Sequence, residues 1–371
     1  MKIAFFHELT PLSGARKVVE EYGKILRKNH QVDLFYVDDR EDKKIVKIFN
    51  KIYFFKFGSR GMFGENWRMR LYRDSIELIN LYFLHKKISR IVKSNKYDFI
   101  FVNPSKYTQS PFLLKFIDKT VYFCQEPLRM VYDNFLKIPK EINLIKKIYE
   151  KLNRKIRKFI DEQNVKKANI VLTNSLFSKK NIERAYNIGV SLCYLGVDAE
   201  KFYPVNIKKD YDLLFIGEKV DIEGYDLLRD TLKLYKKPPV TEFVSRTKNG
   251  LGINEDVLIK KINRSRVVLS LSRNEPFGLI PIEAMSCEVP VIVINEGGLK
   301  ESVVDDKTGY LIKMDKNELK NKIDFLLNNA ELRNKFGRQG RERVLSKFTW
   351  KISVDSFYKI LTNYKFLTVK N

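Results

Sequence analysis

The chain has 371 residues, of which 44% are hydrophobic and 13% aromatic, and its 70 lysines and arginines against 45 acidic residues give a formal net charge of +25. This apolar content excludes an intrinsically disordered chain, and the length exceeds what one core usually holds, so we expect two folded domains. The three cysteines and three histidines are scattered without disulfide or metal-ligand spacing, which indicates a reducing compartment and no metal site.

The first half of the chain alternates short apolar segments with amphipathic ones, which predicts a parallel α/β sheet. The opening segment 2–6 is apolar but is interrupted by His7 and Glu8, so it predicts a β-strand rather than a signal peptide or a transmembrane helix. We therefore expect the mature protein to begin at Met1 and to stay in the cytoplasm. The predicted strands are 2–6, 32–37, 51–56, 98–102, 119–124, 169–173 and 191–195, and the predicted helices are 15–28, 72–93, about 140–166 and 176–186.

The pattern breaks around 198–210, and a second strand–loop–helix series then begins. After Phe348-Thr349-Trp350, a last amphipathic helix closes the chain. We expect two Rossmann-like domains facing a central cleft, residues 1–205 and 206–347, and a C-terminal helix, 348–371, that crosses back to the first domain. The predicted strands of the second series lie near 212–216, 240–245, 266–270, 290–294 and 310–312.

Two carboxylates separated by seven residues, Glu275 and Glu283, lie in the second series. The apolar run 266–271 precedes them and the apolar run 289–294 follows, so the segment predicts strand, loop, helix and strand. In a parallel sheet this arrangement places the loop and the helix N-terminus at the carboxyl edge, where ligands bind. Backbone N–H groups there suit a phosphate and carboxylates suit vicinal hydroxyls, so the whole string predicts a nucleotide-sugar site. The alternative for either glutamate alone is a turn followed by an ordinary surface helix.

Together with its flanking residues, this string resembles the retaining glycosyltransferase family 4, whose fold is GT-B. The resemblance extends over nearly the whole chain, and its strongest part is Glu275 to Met285, with the Pro-Phe-Gly turn and Glu283-Ala284-Met285. The other matching segments are Ser13-Gly14-Ala15-Arg16, Asn29-His30-Gln31-Val32, Asn174-Ser175, Gly196-Val197-Asp198 with Phe202 and Pro204, Gly297-Gly298-Leu299-Lys300-Glu301, and Asp305-Asp306-Lys307-Thr308-Gly309-Tyr310-Leu311.

The resemblance implies a role for each matching residue of the donor site. Glu275 would hydrogen-bond hydroxyls of the donor sugar as a catalytic residue, and Glu283 would accept the two ribose hydroxyls. Gly14 would let the N-terminal loop approach the diphosphate across the cleft, although an ordinary turn glycine is the alternative there and at Gly297 and Gly298. The backbone N–H groups expected to approach the sugar and the diphosphate belong to the turn that begins at Pro276: Phe277, Gly278 and Leu279.

The same resemblance implies the reaction, a hexosyltransferase-type transfer from a nucleoside-diphosphate sugar with retention at the anomeric carbon. The family's usual explanation is front-face attack, in which the departing phosphate helps to deprotonate the acceptor. No metal and no cofactor besides the nucleotide sugar is expected. The segment Asp210-Tyr211-Asp212 has the D-x-D pattern of metal-dependent glycosyltransferases, but it precedes its strand, and we interpret it as the end of a linker.

Two departures from the family pattern affect the expected site. The turn after the first strand of the second domain usually supplies an arginine and a lysine to the diphosphate, but here these positions are Glu218 and Glu223, whose charges would repel it. At the position of Gln125, many members carry a histidine before a proline. A glutamine cannot act as a base there, but it can bond to a sugar hydroxyl. We expect one or more nearby cations to replace the missing pair, and the candidates are Lys219, Arg246, Lys248 and Arg273.

Most of the basic excess lies in the first half, where residues 1–205 carry 40 lysines and arginines against 22 acidic residues. Residues 137–158 contain nine of these cations and predict an amphipathic helix. We expect its apolar face (Ile145, Ile148, Leu152, Ile156 and Phe159) to be packed on the sheet as core. Its basic face could serve an anionic membrane surface, which would suit a lipid-linked acceptor. The cations assigned to this membrane or acceptor surface are Lys146, Lys147, Lys151, Arg154, Lys155, Arg157 and Lys158.

The favoured interpretation is a cytoplasmic glycosyltransferase, peripheral at the inner membrane face, for cell-surface glycan or glycoprotein assembly. Its expected partners are a nucleotide sugar, a glycan or lipid-linked acceptor and an anionic membrane surface. The alternative is a non-catalytic relative that acts as a binding partner or scaffold, which Glu218, Glu223 and Gln125 favour and the intact Glu275 and Glu283 disfavour. A nicotinamide-dependent enzyme lacks its G-x-G-x-x-G motif here, and no nucleic-acid-binding motif is present in the sequence.

Overall fold

The two predicted series of strands form two separate parallel sheets in a computed structural model that describes residues 1–8, 14–58, 67–133, 136, 138, 141–245, 247–248, 251–252 and 254–364. Each sheet lies at the centre of its own compact unit. The N-terminal unit comprises Met1–Thr173, Lys179–Leu192 and the chain from Phe357, and the C-terminal unit comprises Asn174–Ser178 and Cys193–Ser356. The predicted α/β class is therefore confirmed.

The sheet of the N-terminal unit has seven parallel strands. They are β1 (Lys2–Glu8), β2 (Gln31–Asp38), β3 (Lys51–Lys56), β4 (Phe99–Val102), β5 (Thr120–Phe123), β6 (Ile170–Thr173) and β7 (Ser191–Leu192). Their order across the sheet is β3-β2-β1-β4-β5-β6-β7. Every residue of β4, β5 and β6 is buried, because the connections of a parallel sheet cover both of its faces. These strands were predicted within one or two residues, except that β7 ends at Leu192 rather than at 195.

Helices connect these strands, as parallel pairing requires. A π-helix, Arg73–Glu77, joins α3 to α4, and a short 3₁₀-helix, Phe112–Lys115, precedes β5. Asn143 caps the longest helix of this unit by accepting a hydrogen bond from the Ile145 N–H at 2.9 Å. The helices are α1 (Gly14–Leu26), α2 (Lys43–Val46), α3 (Trp67–Tyr72), α4 (Leu78–Ser94), α5 (Arg129–Tyr132), α6 (Leu144–Val165) and α7 (Leu176–Tyr186).

The C-terminal unit contains a five-stranded parallel sheet and a small antiparallel hairpin. Its strands are β8 (Tyr211–Ile216), β9 (Thr241–Val244), β10 (Thr247–Lys248), β11 (Leu251–Gly252), β12 (Ser265–Ser270), β13 (Val291–Ile294) and β14 (Gly309–Ile312). The sheet has the order β14-β13-β12-β8-β9, and β10 pairs with β11. Its helices are α8 (Tyr225–Leu232), α9 (Glu255–Asn263), α10 (Leu279–Ser286), α11 (Leu299–Ser302), α12 (Lys316–Asn328), α13 (Ala330–Lys347) and α14 (Trp350–Asn363).

The last helix, α14, contributes residues to both units, as predicted for a C-terminal helix that crosses back. In the C-terminal unit, the Ser353 hydroxyl donates to the Tyr194 carbonyl at 2.5 Å. In the N-terminal unit, the Phe357 ring lies against Tyr22 and Phe101, with ring centroids 5.5 and 5.7 Å away. A hydrogen bond in the C-terminal unit and ring packing in the N-terminal unit therefore hold the helix at these two residues.

The division between the units lies earlier in the chain than the predicted boundary after residue 205. The C-terminal unit already includes Cys193 onward, because the segment that follows is bonded to that unit's own elements. The Val197 N–H donates to the Phe348 carbonyl at 2.8 Å, and the Ser286 hydroxyl donates to the Phe202 carbonyl at 2.6 Å. These bonds join segments far apart in sequence, which local composition does not indicate.

The orientation of α6 corrects one prediction of the sequence. The apolar residues expected to be core, Ile145, Ile148, Leu152, Ile156 and Phe159, are 46% to 76% exposed. The buried residues of the helix are mainly polar, namely Asn153, Arg157, Asp161, Asn164 and Val165. The polar face is inward because it bonds to the backbone of the segment 107–110 and to the π-helix. Such partners cannot be inferred from helical periodicity.

Candidate functional site at the carboxyl edge of the C-terminal sheet

The predicted E-x7-E segment lies at the carboxyl end of β12, as expected from parallel topology. Glu275 is half-buried in the turn between β12 and α10, and Glu283 is buried on α10. Two residues of this turn have left-handed backbone angles, Asn274 with φ 51° and Gly278 with φ 86°. A side chain at Gly278 would be strained by this angle, and its Cβ would lie 2.5 Å from Leu299 Cδ2. The turn is therefore tightly determined on both sides of Glu275.

The glycine pair after β13 packs directly on the Glu275 turn. The Gly298 N–H donates to the Glu275 carbonyl at 2.8 Å. A Cβ on Gly298 would lie 2.2 Å from the Pro276 carbonyl oxygen, and one on Gly297 would lie 2.4 Å from the Glu275 carbonyl oxygen. Both glycines thus allow two backbone segments to approach more closely than any side chain permits. They are more than ordinary turn glycines, which was the alternative for this pair.

A serine from an earlier part of the chain also holds this turn. The Ser175 hydroxyl donates to the Pro276 carbonyl at 2.5 Å, and the Ser178 hydroxyl lies 3.4 Å from the same oxygen. The Ser175 oxygen in turn accepts the Ser178 N–H at 2.9 Å. The segment Asn174–Ser178 belongs to the C-terminal unit through such contacts. The matching segments noted in the sequence at Asn174-Ser175 and Gly297-Gly298 therefore meet at one carbonyl group.

Glu301 fixes the start of α7 within the same region. Its carboxylate accepts the N–H groups of Leu176 and Phe177, each at 2.8 Å, and the Tyr194 hydroxyl at 2.9 Å. A carboxylate at a helix start satisfies N–H groups that have no partner within the helix. Glu301 is thus a structural residue that holds the serine segment beside the Glu275 turn.

The N-terminus of α10 has the properties of an anion site. Gly278 occupies the N-cap position and provides no side-chain hydrogen bond to the first turn, where no acidic side chain lies. The first N–H groups of a helix have no partner within the helix and carry a partial positive charge. This end of α10 follows Glu275 by a few residues, so an anionic group bound here would lie near that carboxylate. The arrangement suits a phosphate attached to a hydroxyl-bearing group.

The turn after β8 contains the two glutamates that replace the expected cations. Glu218 accepts the Ser245 hydroxyl at 2.5 Å, and Glu223 accepts the Ser272 hydroxyl at 2.7 Å. The Glu223 contact links this turn to the residue that precedes Arg273 on the loop after β12. Both glutamates thus bind neighbouring loops at the same sheet edge, a structural use that explains their presence without a phosphate.

The candidate replacement cations have different surroundings. The Arg273 Nη2 lies 3.1 Å from Asp226 Oδ2, so part of its charge is offset. Lys219 is exposed, and its Nζ lies 5.0 Å from the centre of the Phe243 ring and 5.9 Å from that of Tyr225. Of the two candidates whose side chains are described, Lys219 is therefore the more exposed. Arg246 and the side chain of Lys248 lie outside the described residues.

Two predicted residues lie at the carboxyl ends of strands in the N-terminal unit. Gly14 is the first residue of α1, and the loop 9–13 before it lies outside the described residues. Gln125 follows β5, is half-buried, and has a buried Nε2 atom without a hydrogen-bond partner among the described residues. An unpaired buried amide favours a bound hydrogen-bond acceptor, since leaving it unpaired is costly. This observation agrees with a ligand-binding role for Gln125.

A buried acidic residue that the sequence did not single out lies at the end of β1. Glu8 is fully buried and accepts the Ser105 hydroxyl at 2.9 Å, and its Oε2 lies 3.5 Å from His85 Nε2. Burial raises the pKa of Glu8 to about 8, although the Ser105 bond opposes this shift. Burial lowers the pKa of His85 to about 3, so the contact joins two groups that are both neutral at pH 7. The sequence feature that could have indicated this buried carboxyl group is the position of Glu8 at the end of an apolar strand.

The D-x-D segment lies at the amino end of β8, away from the edge that carries Glu275. Asp210 pairs with Arg264, and the Asp212 carboxylate lies 2.8 Å from Arg266 Nη1. These pairs fit the interpretation as the end of a linker. Within the described ranges, no group of three or more histidine, cysteine or acidic side chains is placed to hold a metal ion.

The basic residues predicted on α6 fall into two groups. Arg157 is buried and pairs with Asp74, and Arg154 donates to the Met130 and Leu136 carbonyls, so these two arginines are structural and do not belong to a free basic surface. Burial disfavours ionisation of Asp74, but the Arg157 charge and the Tyr149 hydrogen bond outweigh it and lower the pKa of the carboxyl. The lysines on the solvent side are Lys146, Lys147, Lys151, Lys155 and Lys158, of which Lys147 alone is half-buried.

The sequence comparisons identify the family of this chain. The model of the family described as glycosyl transferases group 1 matches residues 153–343, more than half of the chain. The chain belongs to the group 1 glycosyl transferases. This match includes the Glu275 turn, both glycines after β13 and the serine segment.

A curated relative of this glycosyl transferase is an uncharacterized glycosyltransferase of Methanocaldococcus jannaschii, which is 32% identical over 212 residues. This alignment covers 51% of the present chain and 58% of that relative. The chain spans between 23% and 58% of the length of four curated relatives that it matches.

Two solved structures resemble the glycosyl transferase over almost its whole length. Sucrose-phosphate synthase from Thermosynechococcus elongatus has a TM-score of 0.70 at 18% identity and covers 98% of this chain and 99% of its own. Anabaena HepE in complex with UDP and glucose has a TM-score of 0.67 at 17% identity and covers 98% of this chain and 100% of its own. The predicted GT-B fold is thereby confirmed. None of the helices in the described part of the chain is long and apolar enough to span a bilayer.

Proposed function

We propose that this group 1 glycosyl transferase moves a sugar from a nucleoside-diphosphate sugar to a glycan or lipid-linked acceptor, with retention at the anomeric carbon, as in glycosyltransferase family 4. The observation that carries this proposal is the bracing of the Glu275 turn. Gly298, Ser175 and the left-handed Gly278 hold this turn beside the uncapped N-terminus of α10. The complex of Anabaena HepE with UDP and glucose supports a uridine-type donor as the first to be examined.

In this proposal the donor is bound by the turn and by α10. The diphosphate receives the N–H groups of Phe277, Gly278 and Leu279, and the helix end stabilises the charge that develops as the sugar leaves. Glu275 accepts hydroxyls of the sugar. Glu283, buried on α10, accepts the ribose hydroxyls through charge-assisted hydrogen bonds.

Catalysis then rests on positioning and on stabilising the leaving group, without a metal ion. Front-face attack places the acceptor hydroxyl beside the departing phosphate, which takes its proton. Gln125 contributes a hydrogen bond to a sugar hydroxyl, for which its buried Nε2 without a partner among the described residues is the support. Lys219 replaces the missing pair of diphosphate cations, and Gly14 leaves room for the nucleotide.

The experiment that tests the donor site is calorimetric titration of the protein with UDP, GDP, ADP and dTDP in the presence of a chelator. We expect one nucleotide to bind and the Glu283→Gln variant to weaken it by about 10-fold or more, since a charge-assisted bond is worth about 1.5–3 kcal/mol. The Lys219→Gln variant should also weaken it, whereas Lys236→Gln, an exposed lysine after α8, serves as the matched control.

The same titration can overturn the proposal. If none of the four nucleotides binds, Glu218 and Glu223 have removed the diphosphate site, and the non-catalytic binding partner becomes the better interpretation. If a nucleotide binds only when a divalent metal replaces the chelator, the donor site exists but the metal-independent mechanism is wrong. Product analysis with the identified donor then decides between retention and inversion.

A further inference from the structure

We propose that the exposed apolar stripe of α6, formed by Ile145, Ile148, Leu152, Ile156 and Phe159, inserts into the headgroup region of an anionic lipid bilayer. This inference concerns the N-terminal unit alone and stands independently of the donor site proposed above. Three geometric features support it: the stripe lies outside the core, polar contacts on the opposite face of α6 hold it there, and lysines lie along its edge.

The stripe consists of large apolar side chains that solvent reaches. Its five members are 46% to 76% exposed, and Leu144 at the start of the helix is 71% exposed. The residues recur at three- and four-residue spacing, so they share one face of the helix. Single exposed apolar residues are common, but a continuous row of five on one helix marks a surface that meets lipid or protein.

The polar contacts of the opposite face hold the stripe outward. Asp74 of the π-helix accepts the Tyr149 hydroxyl and the Asn153 amide, each at 2.8 Å, and pairs with Arg157. Asp161 accepts the Ser110 N–H at 2.9 Å. Turning the helix to bury its apolar residues would leave these buried polar groups without partners, which is costly. The exposure of the stripe is therefore enforced by the fold.

Lysines lie along one edge of the stripe. At the helical period, Lys151, Lys155 and Lys158 fall on the same side of the apolar row, and all three are exposed. A long lysine side chain can cover apolar surface with its stem while its ammonium group reaches lipid phosphates. An apolar face bordered by lysines is the pattern of helices that lie in the plane of a membrane interface.

The helix bonded to α6 carries a second set of exposed apolar residues. Ile76, Ile79 and Phe83 are 48%, 56% and 59% exposed, and they also follow three- and four-residue spacing. They lie on the π-helix and α4, the former being held to α6 through Asp74. Two neighbouring helices with exposed apolar rows bind a bilayer more firmly than one helix.

The charge of this surface decides between a bilayer and a second copy of the chain. A copy would bring its own lysines to the same edge, and like charges in contact oppose association. The cores of protein interfaces are also depleted in lysine, whereas anionic headgroups attract it. The net charge of +25 makes the whole chain favour an anionic surface. A membrane-bound acceptor would then be presented to an enzyme already at the bilayer.

The test is flotation with vesicles of phosphatidylcholine alone and with about one third phosphatidylglycerol, at low and high salt. We expect the protein to float with the anionic vesicles and the triple variant I148S/L152S/I156S to partition about 100-fold more weakly, because the apolar contribution is lost. The variant K151Q/K155Q/K158Q should bind anionic vesicles about 10-fold more weakly than the unchanged protein and neutral vesicles equally well. High salt should reduce the binding of the unchanged protein to anionic vesicles.

Two matched triple variants on the C-terminal unit serve as controls. V257S/F325S/L345S replaces apolar residues that are 44%, 53% and 46% exposed, and K236Q/K237Q/K347Q removes three exposed lysines. Both should float like the unchanged protein. Circular dichroism and unfolding midpoints of all variants should agree, since every replaced side chain is exposed.

Three outcomes would overturn the proposal. The unchanged protein could fail to float with anionic vesicles at low salt, or the two control variants could lose binding as much as the stripe variants. Light scattering could instead reveal a dimer that I148S/L152S/I156S dissociates, in which case the stripe is an interface between copies. Nucleotide binding by calorimetry should stay unchanged in the stripe variants, so failure of this proposal is distinguishable from failure of the donor site.

Discussion

Replacing Gly298 by alanine tests whether the bracing of the Glu275 turn matters for ligand binding. The Gly298 N–H donates to the Glu275 carbonyl at 2.8 Å, so the two backbones are already in contact. The added Cβ would lie 2.2 Å from the Pro276 carbonyl oxygen and 2.7 Å from Phe277 Cα. Because both atoms belong to backbone, no flexible side chain can move aside.

The required displacement can be taken from these distances. Real Cβ atoms essentially never come within 3.0 Å of another heavy atom, so the Pro276 carbonyl must move by at least 0.8 Å from its 2.2 Å position. Ser175 holds this carbonyl with a hydrogen bond of 2.5 Å, which opposes the movement. Overpacking of this kind costs about 1–3 kcal/mol of stability. A shift of about 1 Å in a binding constellation costs about 100-fold in activity, which corresponds to about 2.7 kcal/mol.

The assay compares G298A with G189A in urea unfolding and in turnover of the donor identified by titration. A Cβ on Gly189 meets no atom within 4 Å, so G189A should leave turnover unchanged and keep or slightly raise stability. We expect G298A to stay folded and to lose about 100-fold in kcat/KM. If G298A is folded and turns over the donor as fast as G189A, the Glu275 turn is not part of the donor site.

Three further predictions concern carboxylates outside the donor site. Glu301→Gln should lower the free energy of unfolding in urea by about 1–3 kcal/mol, because one amide oxygen cannot replace a carboxylate that accepts three donors; unchanged stability would contradict this role. Asp74→Asn should cost about 3 kcal/mol, since it leaves the buried Arg157 charge uncompensated, whereas the exposed control Asp230→Asn should change the unfolding midpoint little. Glu8→Gln should remove a pH dependence: burial raises the pKa of Glu8 from 4.5 to about 8, so the folded chain keeps a proton that the unfolded chain loses. The stability that Glu8 contributes is complete below about pH 4.5 and falls by about 1.4 kcal/mol per pH unit until about pH 8. Burial lowers the pKa values of His7 and His85, so below their ordinary pKa of 6.5 these histidines make stability rise with pH and oppose the effect of Glu8. The unfolding midpoint should therefore decline between pH 6.5 and 8 in the unchanged protein and stay level over this range in Glu8→Gln.

The strands and the position of the E-x7-E segment were predictable because both follow from local patterns. A continuous apolar run such as Val291–Ile294 indicates a buried parallel strand, and parallel pairing brings every strand's carboxyl end to one edge. The turn at Glu275 therefore had to lie at that edge once the alternation was recognised. Its resemblance to a family added the roles of individual residues, which periodicity does not provide.

The contacts that hold the candidate site were not predictable, because they join segments distant in sequence. Ser175 and Gly298 meet at the Pro276 carbonyl, although 101 residues separate the serine from that proline. Composition gives no measure of how closely two backbones approach, so a glycine required for contact resembles one required for a turn. The burial of Glu8 was not predictable for the same reason, since its contacts are Ser105, in the segment after β4, and His85, on α4.

The orientation of α6 follows from a competition between burying its apolar side chains and keeping its buried polar bonds. Helical periodicity does not measure the second of these contributions. Burying the apolar face would remove five large side chains from water, each worth about 1.5–3 kcal/mol at full burial. The helix instead buries Asp161 and Arg157, whose partners are the Ser110 N–H and the Asp74 carboxylate. If α6 were turned, the Ser110 N–H and the Asp74 carboxylate would lose these partners. The free-energy cost of each lost bond is about as large as the gain from burying one apolar side chain. The apolar gain is recovered if the stripe meets lipid, because the polar bonds then remain intact. A bilayer therefore satisfies both faces of α6 at once, which no packing of this helix against its own sheet could do.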